Sequence, residues 1–166
     1  LFFNYGIEAP YLHYGVVSPA GELVTYIDVP LPGPRLPHDM MFTENWTILN
    51  DLPLFWDPEA LASGYYSNVF RRDLPSRFAL VPRHGSTEDI RWFEADPTFV
   101  LHWTNAYEDG DEVVLDGFFQ YNPTARGVDR SVYVDPKQKG FETLDMNVLQ
   151  ARHHRWRFNL VTGKTR

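Results

Sequence analysis

Phe99-Val100-Leu101-His102-Trp103-Thr104-Asn105-Ala106-Tyr107-Glu108-Asp109-Gly110-Asp111-Glu112-Val113-Val114-Leu115-Asp116-Gly117-Phe118 reads as a β-hairpin. Residues 99–107 and 112–118 are rich in aromatic and branched side chains, which suit a pleated, half-buried surface. Between them Asp109-Gly110 is a dipeptide that tight hairpin turns favour, because glycine accepts the positive φ such turns need. The same grammar recurs on both sides. Residues 11–17 and 23–29 flank Pro19-Ala20-Gly21-Glu22, and residues 78–82 and 90–94 flank a polar loop at 83–89 that contains Gly85. Residues 155–160 run into Val161-Thr162-Gly163-Lys164. Each pairing is local and antiparallel. A series of such meanders predicts an all-β fold, either a propeller or a sandwich.

Helix signals are confined to two places. Residues 57–63 carry Asp57 as a cap and Pro58 at the first helical position, and residues 143–151 read as a turn or two. Pro30-Leu31-Pro32-Gly33-Pro34-Arg35-Leu36-Pro37 is a stiff, extended connector that delivers the chain to His38 with little freedom. No internal repeat and no domain boundary is visible.

The 166 residues suffice for one domain with a sizeable core. At 43% hydrophobic and 22% charged, the chain is neither disordered nor membrane-spanning. A formal charge of -7 repels phosphate backbones, so no nucleic-acid partner is expected. The absence of Cys excludes disulfides, thiolate metal sites and Cys nucleophiles, and it is compatible with a cytoplasmic location. No apolar run approaches the roughly 18 residues of a membrane helix, and the opening residues do not read as a signal peptide. Leu1-Phe2-Phe3-Asn4-Tyr5 is already strand-like and lacks Met, and the sequence stops just after the Thr162-Gly163-Lys164 turn. The expectation is a single partial domain, residues 1–166, truncated at both ends.

Six His are present, at 13, 38, 84, 102, 153 and 154, and no pair has a local metal-binding spacing. Any that bind metal must converge from separate strands; otherwise each is an ordinary surface or core His. His38 opens a strand-like run to Trp46 in which His38, Met40 and Phe42 share a face. His102 shares its face with Val100, Thr104 and Ala106, which are small enough to leave room for a ligand or a metal. His13 and His84 have no such setting. His153 and His154 are flanked by Arg152 and Arg155, cations that disfavour binding another, so this pair reads as structural. The acidic run from Glu108 to Glu112 lacks the ligand spacing of a calcium loop and reads as a solvated turn. There is no phosphate-binding Gly-rich loop, no Gly-x-Ser-x-Gly elbow and no evident Ser-His-Asp assembly.

Pro37-His38-Asp39-Met40-Met41-Phe42-Thr43-Glu44-Asn45-Trp46 resembles the His-Asp-Phe-x-x-Thr-Glu strand of the carotenoid cleavage oxygenases. The run from Phe99 to Glu108 resembles their His-x-x-Asn-Ala-Tyr/Trp-Glu strand. Matches between and beyond these keep their order across nearly the whole chain: Asn50-Asp51-Leu52-Pro53-Leu54, Pro75-Ser76-Arg77-Phe78, Ile90-Arg91-Trp92-Phe93 and Arg155-Trp156-Arg157-Phe158-Asn159-Leu160. The wording is similar to bacterial members, which include cleavers of apocarotenoids and lignin-derived stilbenes.

The resemblance implies a seven-bladed β-propeller, of which two to three blades are present, around one Fe(II) held by four His. His38 is then the second ligand and His102 the third. The first is expected upstream of Leu1 and the fourth downstream of Arg166, with the Glu residues that support the ligand His also outside this stretch. The implied reaction is dioxygen-dependent cleavage of a conjugated carbon–carbon double bond in a carotenoid, apocarotenoid or stilbene to carbonyl products. No organic cofactor is implied. The expected partners are an apolar conjugated substrate and dioxygen, with any peripheral membrane contact left to other parts of the protein. The isolated stretch is expected to be inactive. The competing readings are a non-catalytic β-rich binding or scaffold module with structural His, and a zinc hydrolase built on the same His.

Overall fold

The computed structural model describes residues 1–56, 59, 62–64, 68–121, 123 and 150–166. Twelve strands are described: β1 (Phe2–Tyr5), β2 (Leu12–Val17), β3 (Leu23–Asp28), β4 (Met41–Phe42), β5 (Trp46–Asp51), β6 (Leu54–Trp56), β7 (Asn68–Phe70), β8 (Ser76–Pro82), β9 (Arg91–Ala95), β10 (Trp103–Asp109), β11 (Glu112–Gln120) and β12 (Ala151–Asn159). They form sheets ordered β1-β2-β3, β4-β5-β8-β9 and β10-β11-β12, plus the small β6-β7 hairpin. Every pairing between these strands is antiparallel. The all-β expectation therefore stands, as three meanders. The expected helix at 57–63 falls mostly outside the described residues. So does the one at 143–151, except that Ala151 opens β12.

The middle sheet is buried on both faces, and a period of two explains how. On paired strands β5 and β8, Ile48 lies opposite Leu80 and Leu49 opposite Ala79. Ile48, Phe78 and Leu80 face a core shared with Val113, Leu115, Trp156 and Phe158 of the β10-β11-β12 sheet. Leu49, Ala79 and Val81 face a second core with Leu12, Tyr14 and Val16 of the β1-β2-β3 sheet. Successive side chains on a strand point to opposite faces, so these uninterrupted apolar runs bury two faces at once. Tyr14 adds a polar tie: its hydroxyl donates to the Arg83 carbonyl at 3.0 Å and accepts from Thr47 Oγ1 at 3.0 Å. Burial pushes its hydroxyl pKa up.

Two expected strands differ from the structure. Residues 38–46 are not one strand, because the chain reverses at Thr43. The Thr43 N–H donates to the Trp46 carbonyl at 2.8 Å, and Thr43 Oγ1 accepts the Trp46 N–H at 3.1 Å. Thr43-Glu44-Asn45-Trp46 is thus the turn between β4 and β5, a use of the Thr hydroxyl common in turns. The second strand begins at Trp103, not Phe99. Thr98 holds the preceding segment elsewhere: its N–H donates to Ser76 Oγ at 2.9 Å, and its hydroxyl accepts the Gln120 N–H at 3.0 Å. The hairpin turn itself is tighter than the sequence suggested. Asp109 pairs with Glu112 around Gly110-Asp111, and Gly110 has φ +59°.

The acidic turn is also not simply solvated. Glu112 accepts from Arg157 Nε at 2.6 Å and from Arg166 Nε and Nη2 at 3.0 and 2.9 Å. Asp109 pairs with Arg157 as well. The Arg166 and Arg157 hydrogen bonds hold the Glu112 pKa down to about 2. A carboxyl depressed on folding stabilises the protein above its unfolded pKa, and that contribution is lost as pH falls through the folded value. Acid titration of the unfolding midpoint should show this loss between pH 4.5 and about 2, and Glu112→Gln should remove that component of the curve.

Phe78 is the hub of the larger core. Its ring centroid lies 5.0 Å from that of Phe158, 5.7 Å from Trp156 and 5.9 Å from Trp103. Phe78→Ala should destabilise the fold by about 3–5 kcal/mol, read by urea unfolding. The same change at exposed Val24 should cost little, and equal costs at the two positions would contradict this account of the core.

Candidate metal centre

The connector at residues 30–37 arrives at His38 already anchored. Arg35 is buried, and its Nε donates to Asp51 Oδ1 on β5 at 2.7 Å. Its guanidinium also covers the Phe55 ring at 3.8 Å, and Arg77 reaches the other Asp51 oxygen at 3.2 Å. Burial pushes the Asp51 carboxyl pKa up, and the two guanidinium groups oppose that shift. A buried carboxylate with charged partners of this kind is costly to disturb from one side, so the connector's end is firmly placed.

Asp39, immediately after His38, joins the two motifs. Its carboxylate accepts the Met40 N–H at 2.9 Å through Oδ1 and the Trp103 N–H at 3.1 Å through Oδ2. Its carbonyl accepts Asn50 Nδ2 at 2.9 Å and the Trp103 indole N–H at 3.4 Å. Trp103 is therefore gripped by Asp39 at both its backbone and its ring. The indole packs on Phe78 and Trp156 and lies over Gly117, where the backbone carries no side chain. A bulge between Trp103 and Asn105 ends the regular register there. The expected face of Val100, His102, Thr104 and Ala106 does not form, because residues 99–102 precede the strand and the bulge breaks the alternation. Val100 is buried and Thr104 exposed.

These anchors bring His38 and His102 together. Their ring centroids are 5.2 Å apart, with planes inclined at 59°. Both imidazoles are exposed, whereas Pro37 and Trp103 beside them are buried. Nitrogens bound to one metal at about 2.1 Å lie no more than about 4.2 Å apart, a separation within reach of rings this close. Neutral imidazole nitrogen suits divalent first-row ions such as Fe(II). Among the described residues no group of three or more His, Cys, Asp or Glu that could hold a metal gathers, so a metal held here would have two donors from them.

The remaining His lie in other settings. His13 faces Asp28 at 3.4 Å and stacks on Tyr26 with ring centroids 5.1 Å apart. His84 is exposed in its loop. His154 packs on Trp156 at 4.4 Å, and burial lowers its pKa; His153 meets the Phe118 ring edge-on. The expected repulsion from neighbouring cations is weakened at Arg155, whose charge is taken up by Asp116 through two hydrogen bonds of 2.8 and 2.9 Å.

Sequence reasoning missed two residues of this region, Asp39 and Glu108. Glu108 accepts from Thr43 Oγ1 at 2.5 Å and from the Asn45 N–H and Asn45 Nδ2 at 2.8 Å each. Burial opposes its charge, but the Thr43 and Asn45 bonds together outweigh that and hold its pKa below the usual range. Both residues stand inside the motifs, and Asp39 is bordered by apolar Met40. A carboxylate in such company needs donors, but the Trp103 donor lies 64 residues away.

Over residues 1–166 the chain matches the family model described as Retinal pigment epithelial membrane protein, RPE65. It is 33% identical over 163 residues to the carotenoid 9,10(9',10')-cleavage dioxygenase of Crocus sativus, a match covering 97% of this chain and 28% of that protein. Among solved structures, the lignostilbene dioxygenase of Pseudomonas brassicacearum aligns with a TM-score of 0.74 at 29% identity, over 98% of this chain and 34% of that one. Cobalt-substituted Synechocystis apocarotenoid oxygenase shares the fold, with a TM-score of 0.71 at 22% identity over 93% of this chain and 31% of that one. The chain belongs to the RPE65/carotenoid cleavage oxygenase family. Its sheets form part of the family's β-propeller, and it spans 28% of the Crocus relative's length. Among the described residues no helix is long and apolar enough to cross a membrane.

The seat beneath Trp103 can be tested directly. A Cβ on Gly117 would lie 2.5 Å from Trp103 Cε3 and 2.9 Å from Cζ3, so the indole would have to move. Gly117→Ala should destabilise the protein by about 1–3 kcal/mol, as overpacking does. Unchanged urea unfolding in this variant would show that the seat is not tight.

Proposed function

We propose that the protein to which these residues belong is a non-haem Fe(II) dioxygenase. Its reaction is the oxidative cleavage of a conjugated carbon–carbon double bond in a carotenoid, apocarotenoid or stilbene to two carbonyl products. The observation that carries this reading is the meeting of His38 and His102, from motifs far apart in sequence, with ring centroids 5.2 Å apart. Family membership supplies the reaction class: the Crocus relative is named a carotenoid cleavage dioxygenase and the Pseudomonas structure a lignostilbene dioxygenase. In this reading His38 and His102 are two iron ligands, and the remaining ligands come from other parts of the full protein. The bound iron would supply the reaction with dioxygen. This chain's own contribution is to hold two imidazoles at a fixed separation, on a scaffold whose partners are a conjugated apolar substrate and dioxygen. The 166 residues alone, with half of the proposed ligands, would be inactive.

The test is mutation in the full-length protein. His102→Ala should abolish turnover and sharply lower iron content, because one metal–ligand bond is removed. His153→Ala and His154→Ala should change neither. Stoichiometric iron together with normal turnover in His102→Ala would refute the ligand assignment.

A further inference from the structure

We infer that Asp39 is a positioning residue that sets the spacing of His38 and His102 through the backbone; the inference rests on the metal reading above. Its carboxylate oxygens are divided between two chain segments. Oδ1 takes the N–H of Met40, fixing the backbone just past His38, and Oδ2 takes the N–H of Trp103, fixing the residue directly after His102. Neither bond involves an imidazole. Support for metal-binding His usually comes from a group bonded to the ring itself; here one carboxylate anchors the main chain beside both rings. The two N–H groups, at 2.9 and 3.1 Å, occupy both carboxyl oxygens. The Asp39 carbonyl accepts from two further donors, Asn50 Nδ2 and the Trp103 indole N–H. The His38 segment is thus pinned to β5 and to the start of β10 by a single residue.

An amide at this position could accept only one of the two N–H groups and would turn its own NH2 towards the other. Asp39→Asn therefore perturbs the link with almost no change of volume, and Asp39→Ala removes it. The decisive experiment titrates Co(II) into the metal-free full-length protein, reading both affinity and the visible ligand-field spectrum, with thermal unfolding measured in parallel. Asp39→Ala should weaken Co(II) binding about 10–100-fold, the usual cost of losing a group that orients metal ligands, and should alter the spectrum. Asp39→Asn should fall between it and wild type. Glu112→Gln, a carboxylate loss at the opposite end of β11, should lower the unfolding midpoint while leaving Co(II) affinity and spectrum unchanged. Wild-type affinity and spectrum in the folded Asp39 variants would overturn the inference. So would an equal loss of affinity in Glu112→Gln, since general loosening would then explain both. If Asp39→Ala does not fold, Asp39→Asn decides alone by the same two readouts. Undiminished Co(II) binding in His102→Ala would instead bring down the metal reading, and with it the purpose assigned to Asp39.

Discussion

Ile48 and Leu80 pair across β5 and β8 and face one way; Leu49 and Ala79, one step along, face the other. The rest of the structure depends on this alternation. It gives the middle sheet two apolar faces, so the flanking sheets must each cover one. A shift of one residue in the β5–β8 register would exchange the two sets of side chains. It would also carry Asn50 and Asp51 away from their partners Asp39, Arg35 and Arg77. Packing and polar bonding therefore specify the same register.

A chain of polar bonds, partly buried and partly exposed, marks the approach to the His pair. Asp51 takes two guanidinium groups, the Asp39 carbonyl takes Asn50 and the Trp103 indole, and Glu108 closes the turn at Thr43 and Asn45. Buried polar groups specify a unique arrangement only when all are satisfied. The family motifs are legible in these terms: the Asp after His38 and the Thr and Asn before Trp46 are hydrogen-bonding partners of the second motif, not additional chemistry.

Much of the fold was legible in the sequence because its signals are local. The Asp109-Gly110 turn, the Gly21 turn and the apolar run at residues 78–82 each specify a hairpin or a strand within a few residues. The two His were legible through the family motifs that contain them. Three features were not. The strand expected at residues 38–46 failed because a Thr43 side-chain bond reverses the chain, overriding an extended-looking pattern. The strand expected from Phe99 starts late because Thr98 is bound to β8 and β11. Asp39 was overlooked because its second partner is a main-chain N–H, a donor that every residue but proline carries and that no side-chain pattern can announce.

The link between Asp39 and Trp103 has a consequence for how the molecule comes together. It closes a loop of 64 residues, and between its ends lie β4 to β9, the whole of the strand pairing within the middle sheet. Closure entropy favours short loops, so contacts of high sequence separation form after local hairpins. The two imidazoles therefore stay apart while the separate meanders are made, and they meet only when neighbouring sheets dock. Under the proposed reading, the paired imidazoles that would hold a metal exist only once the sheets have closed on one another.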